Sequence, residues 1–247
     1  MEMLAGRNPV YETLRAGRRS VKEVILAEGI AQKDIIDDIL QACDQRDISV
    51  SWVDRQQLDQ MARDVNHQGV TARVSPYPYL PLDELLHLSK RREEQPFFLI
   101  LDSLKDPQNL GALARTAEAV GVHGIIIPRR RSVSVTEAVS RASMGAIEYL
   151  HVAQVTNLAR TLERFKEERI WVVGVEDHPD AQDYREADLD MSLALVLGSE
   201  GQGMRRLTAE RCDFLYRIPM VGHINSLNVS VAGSIMLYRA WEARQRD

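Results

Sequence analysis

The sequence predicts an α/β protein in which an open parallel β-sheet follows a smaller N-terminal α/β domain. Three observations indicate this. Six apolar runs after residue 96 are continuous rather than alternating, as in parallel strands covered on both faces, and helical patterns separate most of them. Shorter strand and helix patterns alternate over residues 1–76. Residues 77–95 carry prolines and a run of charges and read as a linker with one short helix.

The N-terminal domain is predicted element by element. Asn8 and Pro9 are expected to cap and begin a helix that Gly17 ends, and Asp54 is expected to cap a short helix through Met61. Apolar positions at helical spacing predict a further helix within 31–47. The predicted strands are 21–27, 48–53 and the end of 67–74.

The C-terminal domain, residues 96–247, repeats a strand followed by a helix. Charged and small residues separate the apolar runs, which are too short to span a bilayer. The predicted strands are 97–102, 124–128, 150–155, 170–175, 193–198 and 214–219.

Composition excludes several classes of protein. The formal net charge is −5, and neither domain is a basic arm, so RNA could be bound only through local patches. The cysteines Cys43 and Cys212 lie far apart and without metal-ligand spacing, so we expect buried, reduced thiols in a cytoplasmic protein and no metal site. The short apolar runs predict no membrane span.

The first candidate site follows the strand 97–102, in DSLKDPQNLGALARTAEAVGV. Asp106 and Pro107 predict a helix start, after which Gly111 and Arg115 share one face. The segment lacks the GxGxxG fingerprint, which argues against a dinucleotide site. From this segment alone, Gly111 could simply pack against a neighbour and Arg115 could be a solvated helix residue.

The second candidate site is VLGSEGQGMRR, at 196–206. Its glycine spacing fits neither a dinucleotide turn nor a Walker loop, and Glu200 would oppose a phosphate. A phosphate-free cation suits it better, and S-adenosylmethionine is a nucleoside of that kind. An ordinary strand-to-helix turn remains the alternative.

The third candidate site is IPMVGHINSLNVSVA. Here Ser226 could cap the following helix and Asn228 could be a surface residue, or both could lie on a loop around a ligand. All three sites follow predicted strands at their carboxyl ends, where open α/β sheets bind ligands.

The segments DPQNLGALARTAEAVG, LALVLGSEGQGMRRL and IPMVGHINSLNVSVA closely resemble, in order, the three motifs of the SpoU/TrmH family of RNA 2′-O-ribose methyltransferases, of the SPOUT class. The N-terminal part is similar to that family's L30e-like RNA-binding domain. The pairing is most similar to bacterial enzymes that methylate a guanosine ribose in 23S rRNA. Relatives acting on tRNA or other rRNA sites share the motifs, and a non-catalytic RNA-binding assembly factor is a further alternative.

The resemblance implies a C-terminal trefoil knot that forms an S-adenosylmethionine pocket, a homodimer, and 23S rRNA or a ribosomal precursor as substrate. It implies catalytic roles for Asn109, Arg115 and Glu200 near the ribose. The residues implied to bind the cofactor are Gly198, Ile218 and Leu227, with Leu197, Met220, Ser226 and Asn228 close by.

Basic clusters are the candidate RNA contacts, although such clusters are often simply solvated. They are Arg129, Arg130 and Arg131 with Arg141; Arg205 with Arg206; and Arg7, Arg15, Arg18 and Arg19.

Overall fold

The chain folds into two compact units. The structure is a computed structural model that describes residues 1–63, 65–201, 203–223 and 226–245. The first unit combines Met1–Pro78 with Val135–Tyr149, and the second combines Tyr79–Ser134 with Leu150–Asp247. This division differs from the predicted boundaries, because 135–149 packs with the first unit. The Tyr77 hydroxyl, for example, donates to the Ile147 carbonyl at 3.2 Å.

A four-stranded mixed sheet forms the first unit. Its order is β1-β4-β2-β3, in which only β2 and β3 are parallel. The strands are β1 (Glu2–Ala5), β2 (Val21–Ala27), β3 (Ser49–Val53) and β4 (Val70–Val74). The helices are α1 (Arg7–Ala16), α2 (Ile35–Asp44), α3 (Arg55–Met61) and, from the later segment, α6 (Glu137–Ala142).

Most predictions for this unit are confirmed. The strand at 21–27 is β2, and the Asp54 side chain caps α3 by accepting from the Gln57 amide at 2.8 Å. The predicted cap at Asn8 is wrong, because α1 already begins at Arg7 after Gly6, whose φ of 108° suits glycine. Strand β1 was not predicted, since four residues give too short a pattern to recognise.

The second unit contains a seven-stranded sheet. Its order is β7-β6-β5-β10-β8-β11-β9, and every neighbouring pair is parallel, as predicted. The strands are β5 (Phe97–Leu101), β6 (Gly124–Pro128), β7 (Val152–Val155), β8 (Trp171–Val175), β9 (Gln182–Asp183), β10 (Leu193–Leu197) and β11 (Phe214–Arg217). Only the two-residue β9 was not predicted.

Helices cover both faces of this sheet and position the candidate site. They are α4 (Leu82–Arg92), α5 (Pro107–Ala119), α7 (Leu158–Glu167), α8 (Arg206–Ala209) and α9 (Val229–Ala243). On one face, Leu85 and Phe165 pack against Phe98. On the other, α9 approaches closely at Gly233, where an added Cβ would lie 2.4 Å from Leu197 and 2.5 Å from Leu113. The trefoil knot stays a prediction.

Candidate functional site

A cavity of about 600 Å³ lies where β8, β10 and β11 end and α9 begins. All seven residues that sequence reasoning assigned to the cofactor line it, together with Glu200. The sheet explains this, because parallel neighbours end at the same edge. The lining is Val175, Glu176, Asp177, Leu197, Gly198, Ser199, Glu200, Gly201, Gly203, Ile218, Met220, Ser226, Leu227, Asn228, Val229 and Ala232.

The glycines of the second motif are required by close backbone contacts. A Cβ at Gly198 would lie 2.2 Å from the Gly203 carbonyl carbon and 2.3 Å from the Met204 nitrogen. Gly203 has a φ of +65°, and its amide donates to the Ser199 carbonyl at 3.0 Å. The turn therefore folds back across the end of β10, which no residue with a side chain at Gly198 could permit.

Polar residues of the three motifs meet at one junction. The Asn109 amide nitrogen donates to Glu200 Oε1 and, at 3.2 Å, to Asp106 Oδ2. The Asn228 amide nitrogen donates to the same Glu200 oxygen at 3.1 Å and to Asn109 Oδ1 at 3.0 Å. Glu200 is thus the acceptor that joins the first and third motifs, which gives a physical reason for an anion in a glycine-rich turn.

The cap of α9 is Asn228 rather than Ser226. Asn228 Oδ1 accepts from the Ser230 amide at 2.8 Å and from the Val231 amide at 3.4 Å. The alternatives that Ser226 caps this helix and that Asn228 is only a surface residue are therefore wrong. Ser226 instead lines the cavity. One asparagine side chain caps the helix and completes the junction.

Arg115 lies six residues beyond Asn109 on α5 and is exposed. Among the described residues it forms no hydrogen bond or ion pair, and in particular none with Glu200. Within the described part of the chain, Glu200 therefore does not hold Arg115 in place. The guanidinium is available to an anionic ligand.

Sequence reasoning missed two carboxylates beside the turn. Glu176 follows β8 and lines the cavity, and burial raises its pKa. Asp102 follows β5, and its fully buried side chain pairs with the Arg205 guanidinium at 2.7 Å. The available signal was their position, because each is the first acidic residue after an apolar strand.

The predicted basic clusters divide into paired and unpaired arginines. Arg19 is buried and pairs with Glu148 at 3.4 Å and with Glu2, so it stabilises the fold rather than facing RNA. Arg141 pairs with Glu137 and belongs to the first unit, whereas Arg129, Arg130 and Arg131 belong to the second. The side chains of Arg129–Arg131 are exposed, and none of them has a partner within the described part of the chain.

Neither a metal cluster nor a membrane helix is found among the described residues. No group of three or more His, Cys, Asp or Glu side chains in this part of the chain could hold a metal ion. Over the same residues, no helix has the length and apolar character needed to cross a bilayer.

Two family models match this chain. Residues 96–238 match the SpoU rRNA Methylase family, and residues 3–80 match the model for RNA 2′-O ribose methyltransferase substrate binding. The first match contains the cavity, Asn109 and Arg115. The second covers most of the first compact unit.

Relatives match over nearly their whole length. "Putative TrmH family tRNA/rRNA methyltransferase YacO" of Bacillus subtilis is 48% identical over 243 residues, covering 98% of this chain and 96% of the relative. A Staphylococcus aureus protein with the same family description is 47% identical, with the same shares covered.

Solved structures agree in fold. An AdoMet-bound rRNA methyltransferase from Sinorhizobium meliloti superposes with a TM-score of 0.79 at 26% identity, covering 98% of this chain and 87% of that one. The SpoU methyltransferase AviRb from Streptomyces viridochromogenes, in complex with AdoMet, gives 0.79 at 22% identity, covering 98% and 90%. The chain therefore belongs to the SpoU/TrmH family of RNA methyltransferases.

Proposed function

We propose that the protein transfers a methyl group from S-adenosylmethionine to the ribose 2′-hydroxyl of a guanosine in 23S rRNA, as the bacterial RlmB enzymes do. RNA 2′-O-methylation with this donor follows from the family. The guanosine and the 23S rRNA rest on the resemblance of the motifs and of the paired domains. The single observation that carries the residue roles is the junction of Asn109, Glu200 and Asn228 beside the cavity.

The cavity suits this donor. Its volume of about 600 Å³ falls within the roughly 300–1,000 Å³ common for small-molecule sites. Leu197, Ile218 and Leu227 give it apolar walls for an adenine ring. The charged side chains among its described lining are all carboxylates, which favours a cation and disfavours a phosphate.

The chain's own residues position the reacting ribose. When bound, S-adenosylmethionine supplies a methyl group on a cationic sulfur. Asn109 is held by Glu200 and Asp106 with its carbonyl toward Asn228, so its orientation is fixed before any ribose arrives. We assign Asn109 and Glu200 to orienting the 2′-hydroxyl. Fixing reactants in this way can contribute several kcal/mol, up to about 10.

Arg115 is assigned to the substrate's charge. An arginine side chain stays protonated in proteins, so a role as general base is chemically unfavourable. Arg115 is exposed and has no partner in the part of the chain that the structure describes, which leaves its guanidinium for the phosphate beside the target ribose. In that place it also stabilises negative charge that develops on the 2′-oxygen while the hydroxyl proton passes to water and the donor sulfur leaves as a neutral thioether.

Arg129, Arg130 and Arg131 are assigned to the RNA backbone. They follow β6 at the sheet edge where the cavity lies, and the loop after them is tied to the segment before α5, since the Val133 amide donates to the Leu104 carbonyl at 2.7 Å. The salt dependence is the slope of the logarithm of the RNA-binding constant against the logarithm of the salt concentration. Replacing all three by glutamine should lower this slope by roughly 2 in magnitude. An unchanged slope would remove them from the interface, and Arg91→Gln with Arg92→Gln on α4 is the control.

We further propose a cytoplasmic homodimer. Val231, Tyr238 and Trp241 recur on one side of α9 with 47%, 47% and 39% exposure, more apolar surface than a lone helix face usually leaves in water. Trp241→Glu should shift the protein toward monomer in sedimentation velocity, whereas Trp52→Glu in the first unit should not.

The test of this function is methyl transfer itself. The protein is incubated with labelled S-adenosylmethionine and unmodified 23S rRNA, and the modified nucleotide is mapped by mass spectrometry. We expect one 2′-O-methylguanosine. Because the relatives' names include tRNA, the same assay with unmodified tRNA tests the second candidate substrate. Label on neither RNA, or label on a base, would contradict the proposal.

A further inference from the structure

The turn that forms the cavity wall is rich in glycine. Gly198, Gly201 and Gly203 fall within six residues, and glycine loses more conformational freedom on ordering than any other residue. A pocket with such a wall binds its ligand weakly unless other contacts fix the wall in advance, because binding otherwise has to supply the free energy of ordering it. The structure contains contacts that fix it.

The returning limb of the turn is held from both sides. Glu176 Oε1 accepts from the Met204 amide at 3.1 Å, and Asp102 Oδ2 accepts from the Arg205 amide at 3.0 Å. Two consecutive backbone N–H groups therefore donate to carboxylates from different strands. Glu176 follows β8 and Asp102 follows β5, and these strands flank β10 on its two sides.

The two carboxylates hold the limb by different means. Asp102 is fully buried and also accepts from the Arg205 side chain, with Nε 2.7 Å from Oδ1. Within the described residues, the Glu176 side chain has this backbone amide as its one hydrogen-bond partner, and it packs so close to Gly203 that a Cβ there would lie 2.0 Å from its Oε1. Asp102 thus pairs its charge with a guanidinium, while Glu176 offers one acceptor oxygen to a backbone amide.

We infer that Asp102 and Glu176 are positioning residues that hold the 203–205 limb in place before the methyl donor binds. This rests on the proposed function of the cavity. Both act through the turn, so they set the affinity for the donor rather than the rate of the transfer once it is bound.

The experiment measures donor binding by calorimetry on the full chain. Glu176→Ala should weaken S-adenosylmethionine binding roughly tenfold or more, because the Met204 amide loses its acceptor. Glu176→Gln keeps a carbonyl oxygen and should bind within about threefold of the wild type. Asp102→Asn should be weaker than Glu176→Gln, because the Arg205 amide and guanidinium donate to different oxygens of Asp102 and asparagine replaces one of these oxygens by an NH2 donor.

Controls separate positioning from general damage. Glu210→Gln changes an exposed carboxylate on the segment after the turn, 3.5 Å from Arg206, and should bind like the wild type. At saturating donor, Glu176→Ala should keep a kcat close to wild type and show a raised KM for the donor alone. If Asp102→Asn does not fold, the difference in donor affinity between Glu176→Ala and Glu176→Gln tests the inference.

Each outcome is informative. Wild-type binding with an unchanged affinity in Glu176→Ala overturns the positioning role and leaves the proposed function standing. A glutamine variant as weak as alanine overturns the assignment of Glu176 as an acceptor. An absence of binding in the wild type overturns both the inference and the proposed cofactor site.

Discussion

The two compact units use their polar residues in opposite ways. In the first unit, Arg19 is buried between Glu148 and Glu2, and its donors are satisfied within the fold. In the second, Asn109, Glu200 and Asn228 come from three distant segments to one junction beside the cavity, and Arg115 on α5 has no partner among the described residues. Polar side chains that are satisfied by one another stabilise a fold. Polar side chains that meet beside a cavity, with an arginine left available, indicate a binding site.

The largest expected effect is on the stability of the first unit. Arg19→Met leaves the Glu148 carboxylate, 1% exposed, without its cationic partner, which should cost about 3–5 kcal/mol of unfolding free energy. Chemical denaturation measures this. Donor affinity at 10 °C should remain unchanged in the folded fraction. A loss of donor affinity there would contradict the view that Arg19 serves only the stability of the first unit.

The next effect is on catalysis in the second unit. Arg115→Ala should lower turnover by roughly 10²–10³, since it removes a group that stabilises developing charge. Donor affinity and the thermal midpoint should stay near wild type, because the side chain is exposed and unpaired. Arg91→Ala on α4 is the matched control. Near-normal turnover in Arg115→Ala would remove this arginine from the mechanism.

A smaller effect is expected from the junction itself. Asn109→Ala deprives Glu200 of one donor and Asn228 of one acceptor, and should reduce the unfolding free energy by about 1–3 kcal/mol. Turnover should fall by more than that stability loss explains. Equal turnover of mutant and wild type at a temperature where both are folded would argue that the junction is purely structural.

The smallest effect concerns the two thiols, one in each unit. Burial raises the pKa of Cys43 to about 11 and that of Cys212 to about 12. At pH 8 both should therefore resist alkylation in the native protein and react once it unfolds. Mass spectrometry can follow the alkylation of each cysteine during denaturation, and so measure the unfolding of each unit separately. Fast labelling of either native thiol would contradict its buried environment.

Patterns confined to short stretches of sequence were predictable. Continuous apolar runs predicted the strands β5, β6, β8, β10 and β11. Because ligands bind at the carboxyl ends of parallel strands, the three motifs were expected at the same edge of the sheet. The motif resemblance then identified the residues that line the cavity.

Contacts between distant residues were not predictable. Asp102 and Arg205 are 103 positions apart, and Arg19 and Glu148 are 129 apart, so no spacing rule connects them. For the same reason Arg19 was mistaken for a surface arginine. The packing of 135–149 with the first unit likewise depends on contacts between residues that are distant in the sequence, such as Tyr77 with Ile147.

The central claim is that the backbone fold at Gly198 creates a cavity for the methyl donor. Calorimetry of S-adenosylmethionine with wild type, Gly198→Ala and Gly222→Ala tests it most directly. A Cβ at Gly198 would lie 2.2 Å from the Gly203 carbonyl carbon, whereas one at Gly222 meets nothing within 4 Å. The account predicts binding to wild type and Gly222→Ala and its loss in a folded Gly198→Ala. Undiminished binding to Gly198→Ala would contradict it.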